Sequence, residues 1–477
     1  MWEYPALKHL IKGCEKMVKI KSIKFYNHKI FGNQVFDFTI NGTMPVNNII
    51  FAGENGSGKT KILEELNFIS HLSFYNGGVV YSKTTHEIKL DLSTENFCDV
   101  NNEQHLIDEA VLICSVNELN NSGNSIEFFS NGNKITNVKK IGYNDKIIQF
   151  KINGLYSNVD INYKPRNNIR GITNKTLDND TNSIPEDMAS EIIQLLIDIA
   201  IQDSCDVDSW IGQHTGEIVP ENIYHTRLKR FTQAFEKIFG DTLKYKEIKN
   251  NSIPIFEKNN NEIEIQSLSS GEKQVIFRGV YLLRNKNSLK GVPVFIDEPE
   301  ISMHPKWEEM IFEYYKNIFS EENVQTSQIF IATHSEHILS NVLNYNDSLV
   351  IKIKNNTLNK FYKNGPGVIL PTMTLAEIKY SIFDLYTTDF HTLLYGYIQQ
   401  NFVSNSAGTL INNPNISQTD EWLKSQNVPL KNYVHNNTTY ETLPTYIRNC
   451  IDHPDNVYSY TKEELVQSIE NMIDIVK

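Results

Sequence analysis

Cysteine is scarce in this 477-residue chain: Cys14, Cys98, Cys114, Cys205 and Cys450 are scattered, odd in number and without a CxxC pair. That excludes a disulfide framework or a zinc knuckle and fits a reducing cytoplasm. Long apolar runs are lacking as well. Val292–Ile296, broken by Pro293, is only strand-length, whereas a membrane helix needs about 20 apolar residues. No signal-peptide core opens the chain, because Lys8, Lys12 and Lys16 interrupt it. Positive charge is not in excess: 45 Lys and Arg against 57 Asp and Glu leave a formal net charge of −12. Bulk charge therefore does not coat nucleic acid, and any such contact must be a local basic patch. Secreted, membrane and zinc-ribbon classes drop out, and a cytoplasmic protein is expected. What is present is ordinary for a globular chain, 40% hydrophobic and 21% charged. The length suggests two to three domains.

Along the chain, 1–16 reads as an N-terminal extension. From Met17 an alternating run predicts a half-buried strand, Val35–Ile40 a second one ending at the turn signal Asn41-Gly42, and Asn48–Ala52 a short buried strand. Helical spacing follows through Ile62, Leu63, Leu66 and Ile69. These belong to a first core segment, 17–75. Alternating runs at Ile88–Leu92, Ile126–Phe129, Ile147–Ile152 and Val159–Tyr163, a polar loop at 166–184 and helices near 186–203 and 221–239 predict an inserted β and helical lobe over 76–250. A hairpin (Ile253–Phe256, Ile263–Ile265) leads into a second core segment, 251–360. Beyond it, a helical C-terminal domain is expected over 361–477, with a Tyr- and Phe-rich helix at 374–403, a polar loop at 404–418 and helices near 442–452 and 461–476. Thr461 and Glu464 form a capping-box pair for the last helix.

Gly53-Glu54-Asn55-Gly56-Ser57-Gly58-Lys59-Thr60 fits GxxxxGK[ST] between a strand and a helix. Glycines let backbone N–H groups converge on phosphates at a helix N-terminus, Lys59 adds charge at the β- and γ-phosphates, and the Thr60 hydroxyl can ligate Mg²⁺. The apolar strand Val292–Ile296 delivers Asp297 and Glu298. The first acid suits Mg²⁺, and the second can orient the attacking water. A second apolar strand, from Ile329, ends at His334-Ser335, 37 positions after Asp297, where a γ-phosphate sensor would stand.

Leu268-Ser269-Ser270-Gly271-Glu272-Lys273-Gln274 precedes an apolar helix, with Ser269 28 positions before Asp297. With this string the set resembles the ABC-type ATPase heads of the SMC, RecF and OLD group. Gly53–Thr60 matches Walker A, Ser269–Gln274 the signature, Asp297-Glu298 Walker B, and His334 the switch histidine. Asp297–Pro305 resembles the DEPExxLHP form of the RecF/OLD branch, with Met303 in place of Leu. The resemblance covers about 17–350. It implies an α/β P-loop head that binds ATP with Mg²⁺ through Gly53, Asn55, Gly56, Gly58, Lys59 and Thr60. It further implies an ATP-dependent head-to-tail dimer, or a higher oligomer, in which Ser269 and Gly271 complete the partner's site. Ser270 departs from the glycine common in transporter signatures. No glutamine is placed with assurance in a Q-loop, for which Asp160–Tyr163 followed by Lys164-Pro165-Arg166 is the expected position.

In the C-terminal region, Arg448-Asn449-Cys450-Ile451-Asp452-His453 resembles the R-N-x-x-x-H motif of HEPN ribonucleases. That resemblance implies metal-independent cleavage of RNA, tRNA included, with His453 moving a proton and Arg448 stabilising phosphoryl charge. The alternative is a helix-end salt bridge and cap before Pro454. The strings Glu377–Tyr380, Asp389-Phe390-His391 and Leu394-Tyr395-Gly396 resemble C-terminal regions of abortive-infection ATPases that accompany Septu- and PARIS-type phage-defence operons. In those the ATPase partners a separate nuclease or toxin, and this domain would be a docking platform. A RecF-like DNA-repair head is a further reading, which the negative charge disfavours.

Overall fold

A computed structural model describes residues 18–42, 44–72, 85–92, 97–99, 107–116, 122–135, 138–140, 152–157, 188–220, 227–250, 252–284, 291–321, 323–404, 413–435, 437–454 and 457–477. The extension expected at 1–16, the run Val159–Tyr163, the Q-loop segment Lys164–Arg166 and the loop at 166–184 lie outside them, as does Ile147–Ile152 except for Ile152. The chain divides into two units, Met1–Asn359 and Lys360–Lys477.

In chain order the first unit contains β1 (Lys19–Tyr26), β2 (Val35–Asp37), β3 (Asn48–Ala52), α1 (Lys59–Ser70), β4 (Thr85–Asp91), β5 (Glu109–Val116), β6 (Ser122–Ser130), β7 (Asn133–Ile135) and β8 (Leu155–Ser157). There follow α2 (Met188–Gln213), α3 (Arg227–Phe239), β9 (Leu243–Lys249), β10 (Ile253–Lys258), β11 (Asn261–Glu264), α4 (Ser270–Leu282) and β12 (Val294–Asp297). The unit closes with α5 (Pro305–Ile318), β13 (Ile329–Ala332), α6 (Glu336–Val342) and β14 (Ser348–Lys354), and β15 (Thr357–Phe361) runs two residues past its end.

The central sheet has the order β8-β12-β13-β3-β14-β15. Its pairs from β8 to β14 are parallel. Strands covered on both faces must be apolar throughout, and every residue of β3, β12 and β13 is buried. A second sheet, β7-β6-β5-β4-β1-β2, is antiparallel where its pairs are defined. Here the structure departs from the sequence reading. β4, β5, β6 and β7 do not form a lobe of their own; they extend the sheet that β1 and β2 begin, because β4 pairs along the whole of β1, whereas Phe97–Asp99 pairs with Val138–Lys140 in a separate two-stranded ribbon. The edge strand beside β12 is Leu155–Ser157. Helix α2 runs to Gln213, ten positions past its expected end.

Phe38, just past β2, packs edge-on against Phe51 and Phe330 of the central sheet, with ring centroids 6.1 and 5.2 Å apart. The buried Gln328 amide spans the same junction, accepting from Ile20 N at 2.7 Å and donating to Ile20 O and Val46 O. A buried amide with both ends used is the arrangement that avoids a desolvation penalty.

The second unit holds α7 (Leu375–Ser381), α8 (Thr388–Ile398), α9 (Ile416–Ser425), β16 (Leu430–His435), β17 (Thr438–Thr442), α10 (Leu443–Asp452) and α11 (Lys462–Val476) around a core of Phe390, Leu394, Tyr395, Leu423, Ile447, Ile469 and Met472. The single helix expected at 374–403 is broken between Ser381 and Thr388, where Thr387 caps α8, and α8 runs on into a π-turn at Gln399–Val403. The β16–β17 hairpin is an addition to the all-helical expectation. Thr461 and Glu464 make the expected capping box.

Candidate active site

The carboxyl end of β3 runs directly into the Gly53–Lys59 loop. Gly53, Gly56 and Gly58 have φ of +146°, +78° and +102°, backbone that side-chain-bearing residues avoid. At Gly53 the demand is also spatial, since a Cβ would stand 2.4 Å from the Ile353 carbonyl oxygen. Gly58 is closed off by Phe31, whose ring lies 3.0 Å from where a Cβ would be. The Phe31 turn is itself held by His28, whose Nδ1 accepts from the Ile30 and Phe31 N–H groups while Nε2 faces Glu65 at 3.5 Å. Asn55 is exposed on this loop.

Lys59 is buried at the start of α1, its Nζ donating to the Gly53 and Glu54 carbonyls at 3.1 and 3.0 Å. Burial lowers its pKa, against the pull of Glu298, Asp297 and Glu300. Thr60 Oγ1 donates to Asp297 Oδ1 at 3.2 Å, joining the P-loop to β12. Asp297 Oδ2 is buried with no protein hydrogen-bond partner. Burial pushes the Asp297 carboxyl up to about 6, with the Thr60 hydrogen bond pulling the other way and Glu298 adding to the rise. A hydroxyl beside a carboxylate with one oxygen unspent is the hard-oxygen donor set that Mg²⁺ prefers, so these residues fit the ion.

Glu298 stands just past β12, with Oε1 3.4 Å from His334 Nε2 at the end of β13. Burial first, and then Lys59, lower the His334 pKa, so the ring is neutral near pH 7. Two residues that sequence reasoning left without a role complete the centre. The half-buried Glu300 accepts from Thr333 Oγ1 at 2.7 Å and from His334 N at 2.6 Å. Arg278 of α4 donates to the Asp297 and Glu298 carbonyls at 2.6 and 3.3 Å. Glu300 was visible in the string Asp297-Glu298-Pro299-Glu300, but its partner was not. Arg278 carried one signal, the scarcity of arginine in an otherwise apolar helix.

Lys59, Thr60, Asp297, Glu298 and His334 thus share one site. Ser269 does not make its contacts there: its hydroxyl accepts from Glu272 N and the Glu272 carboxylate accepts from Ser269 N, a capping box at the start of α4. Gly271 lies under the loop after β12, where a Cβ would come 2.7 Å from Ser302 O and 3.1 Å from the Trp307 ring. In the second unit, Arg448 Nη2 pairs with Asp452 Oδ2 at 2.6 Å and Nη1 donates to Asn449 Oδ1. His453 is the C-cap of α10, and its ring stacks on His435 with centroids 5.1 Å apart.

Residues 213–339 match the family model described as AAA ATPase domain. This stretch contains the signature, Asp297-Glu298 and His334, and the P-loop precedes it. A curated relative, "Retron Vc95 probable ATPase" of Vibrio cholerae serotype O1 biovar El Tor, is 32% identical over 127 residues, 24% of each chain. The match thus spans about a quarter of that relative's length. Among solved structures, the Smc head domain with an extended coiled coil bound to the C-terminal domain of ScpA, from Pyrococcus furiosus, aligns at 13% identity and a TM-score of 0.38, over 72% of this chain and 96% of that one. The SMC head domain from Thermotoga maritima aligns at 12% identity and a TM-score of 0.35, over 72% and 98%. Among the described residues, no helix is long and apolar enough to cross a membrane.

Proposed function

We propose that this chain is a Mg²⁺-dependent ATPase that works as a head-to-tail pair of protomers, and that its second unit holds a separate nuclease or toxin in bacterial anti-phage defence. The observation that carries the ATPase reading is the convergence of Thr60, Asp297, Glu298 and His334 beside the P-loop. Thr60 and Asp297 would hold Mg²⁺, which when bound neutralises charge on the phosphate oxygens. The loop N–H groups and Lys59 bind the phosphates at the α1 N-terminus. Glu298 orients the attacking water and accepts its proton, and neutral His334 donates toward the γ-phosphate.

The pairing reading is supported by the resemblance of Ser269–Gln274 to ABC signatures, which act on the partner's nucleotide. The retron relative supports the defence reading. For the second unit, docking is favoured over RNA cleavage because the Arg448 guanidinium is engaged by Asp452 and Asn449.

The test is phosphate release and sedimentation of the purified chain with Mg-ATP. Wild type turns over ATP, Lys59→Ala does not, and Glu298→Gln holds ATP without hydrolysing it and sediments as a dimer. A monomer under ATP in Glu298→Gln removes the pairing. Metal-independent RNA cleavage that His453→Ala abolishes would replace docking with a ribonuclease.

A further inference from the structure

Arg278 is one of seven arginines in the chain and is fully buried. A guanidinium there is costly unless its donors are used. Nine positions past Ser269 on α4, it donates Nη1 to the Asp297 carbonyl at 2.6 Å and Nη2 to the Glu298 carbonyl at 3.3 Å. The second of these carbonyls belongs to a residue in the left-handed region, Glu298 with φ +42°. Residues other than glycine keep that conformation only where the surroundings over-determine it. The other side of the residue is held too, since Glu298 N donates to Ala332 O at 2.9 Å. Pinned from α4 on one side and β13 on the other, the residue carries its carboxylate toward His334.

Helix α4 has little slack against its neighbours. Near its start, Gly271 leaves no room for a Cβ beneath Ser302 O. In its middle, Tyr314 Oη donates to Val275 O at 2.9 Å, and a Cβ on Gly279 would stand 1.8 Å from that same hydroxyl. A shift at the signature end therefore moves the helix as a body and takes the guanidinium with it.

We propose that Arg278 is a positioning residue for Glu298, carrying the placement of the signature helix into the backbone turn that aims the carboxylate at the attacking water. The proposal rests on the reading of Glu298 given above. In a head-to-tail pair, the α4 N-terminus faces the partner's nucleotide. Arg278 then makes hydrolysis in one protomer depend on the nucleotide held against its own signature. A lysine replaces it only in part, because one ammonium does not span two carbonyls with the geometry of the planar fork.

The test uses the full chain with Mg-ATP, comparing wild type, Glu298→Gln, Arg278→Lys and Arg278→Met. Arg278→Met lowers kcat more than about tenfold, and Arg278→Lys less. KM for ATP and the Kd of a fluorescent ATP analogue stay within about threefold, and the thermal melt stays cooperative. Any other combination overturns the proposal. That includes a smaller fall in kcat, and a joint loss of turnover, nucleotide binding and cooperative melting in both variants, which would make Arg278 a prop of the fold alone. The link to the signature is read from Ser269→Ala combined with Arg278→Lys. Coupling gives a loss in kcat smaller than the product of the two single losses, and a simple product overturns it. If Glu298→Gln hydrolyses ATP like wild type, the failure lies in the reading of Glu298 itself, a result distinguishable from all of these.

Discussion

Glu300 accepts the backbone N–H of His334 at 2.6 Å, so the loop after β12 decides where the end of β13 stands. The same carboxylate oxygen takes the Thr333 hydroxyl. Glu300→Ala leaves a buried N–H and O–H unpaired, while Glu300→Gln keeps one carbonyl oxygen for them. Glu300→Ala is expected to lower kcat about 10- to 100-fold with KM for ATP nearly unchanged, and Glu300→Gln to lose less. Steady-state kinetics on both variants check this, and equal losses would count against it.

The glycines of the P-loop are not equivalent. An alanine at Gly53 meets the Ile353 carbonyl at 2.4 Å, whereas nothing lies within 4 Å of a Cβ at Gly56. Gly56→Ala is expected to cost only the left-handed backbone, about 1–2 kcal/mol. Gly53→Ala costs more and also displaces the loop from Ile353. Chemical denaturation ranks the two, and nucleotide binding should be lost in Gly53→Ala first.

On the proposed reading Mg²⁺ takes the deprotonated Asp297 carboxylate, and burial pushes that carboxyl up to about 6. Below that pH, protons compete with the ion, so apparent Mg²⁺ affinity should fall by up to about tenfold per pH unit. Titrating Mg²⁺ against a bound fluorescent ATP analogue between pH 5 and 8 reads the effect. A flat profile would show that another group holds the ion.

In the second unit, burial pushes the Glu377 carboxyl up to about 7, although it accepts the Ile369 and Leu370 N–H groups. Raised in the folded state, this group contributes stability that is fully present below its unfolded pKa, near 4, and is lost as pH rises through about 7. His391, held down to about 3 by burial, acts in the opposite sense: it contributes above its unfolded pKa, near 6.5, and loses that contribution as pH falls toward 3. The stability difference between wild type and Glu377→Gln isolates the carboxyl, and it should shift against wild type as pH climbs from 5 to 7. Thermal melts of both proteins across that range provide the check.

The loop Gly53–Lys59, the acids Asp297 and Glu298 at the end of β12 and His334 past β13 were legible as candidates because each is a local string with its own strand. Partnerships were not. Nothing in Ile88–Leu92 says that it pairs with β1, because register is decided by what the other face of the sheet must cover. The β16–β17 hairpin escaped notice because its strands are mostly polar and exposed, with Tyr433 and Thr442 their buried anchors. Its turn signal, Asn436-Asn437, lies in a region rich in asparagine. Arg278 and Glu300 act on backbone atoms of distant residues, and sequence patterns do not record such targets.

With Glu298 in the role proposed for it, its left-handed backbone sets stability against turnover at a single position. A glycine there would relax the chain and remove the carboxylate, yielding a protein that is sturdier or unchanged in folding yet catalytically silent. Selection for robustness alone would drift toward that exchange. A glutamate held in so unfavourable a conformation fits, on the proposed reading, a side chain placed for turnover and not for folding.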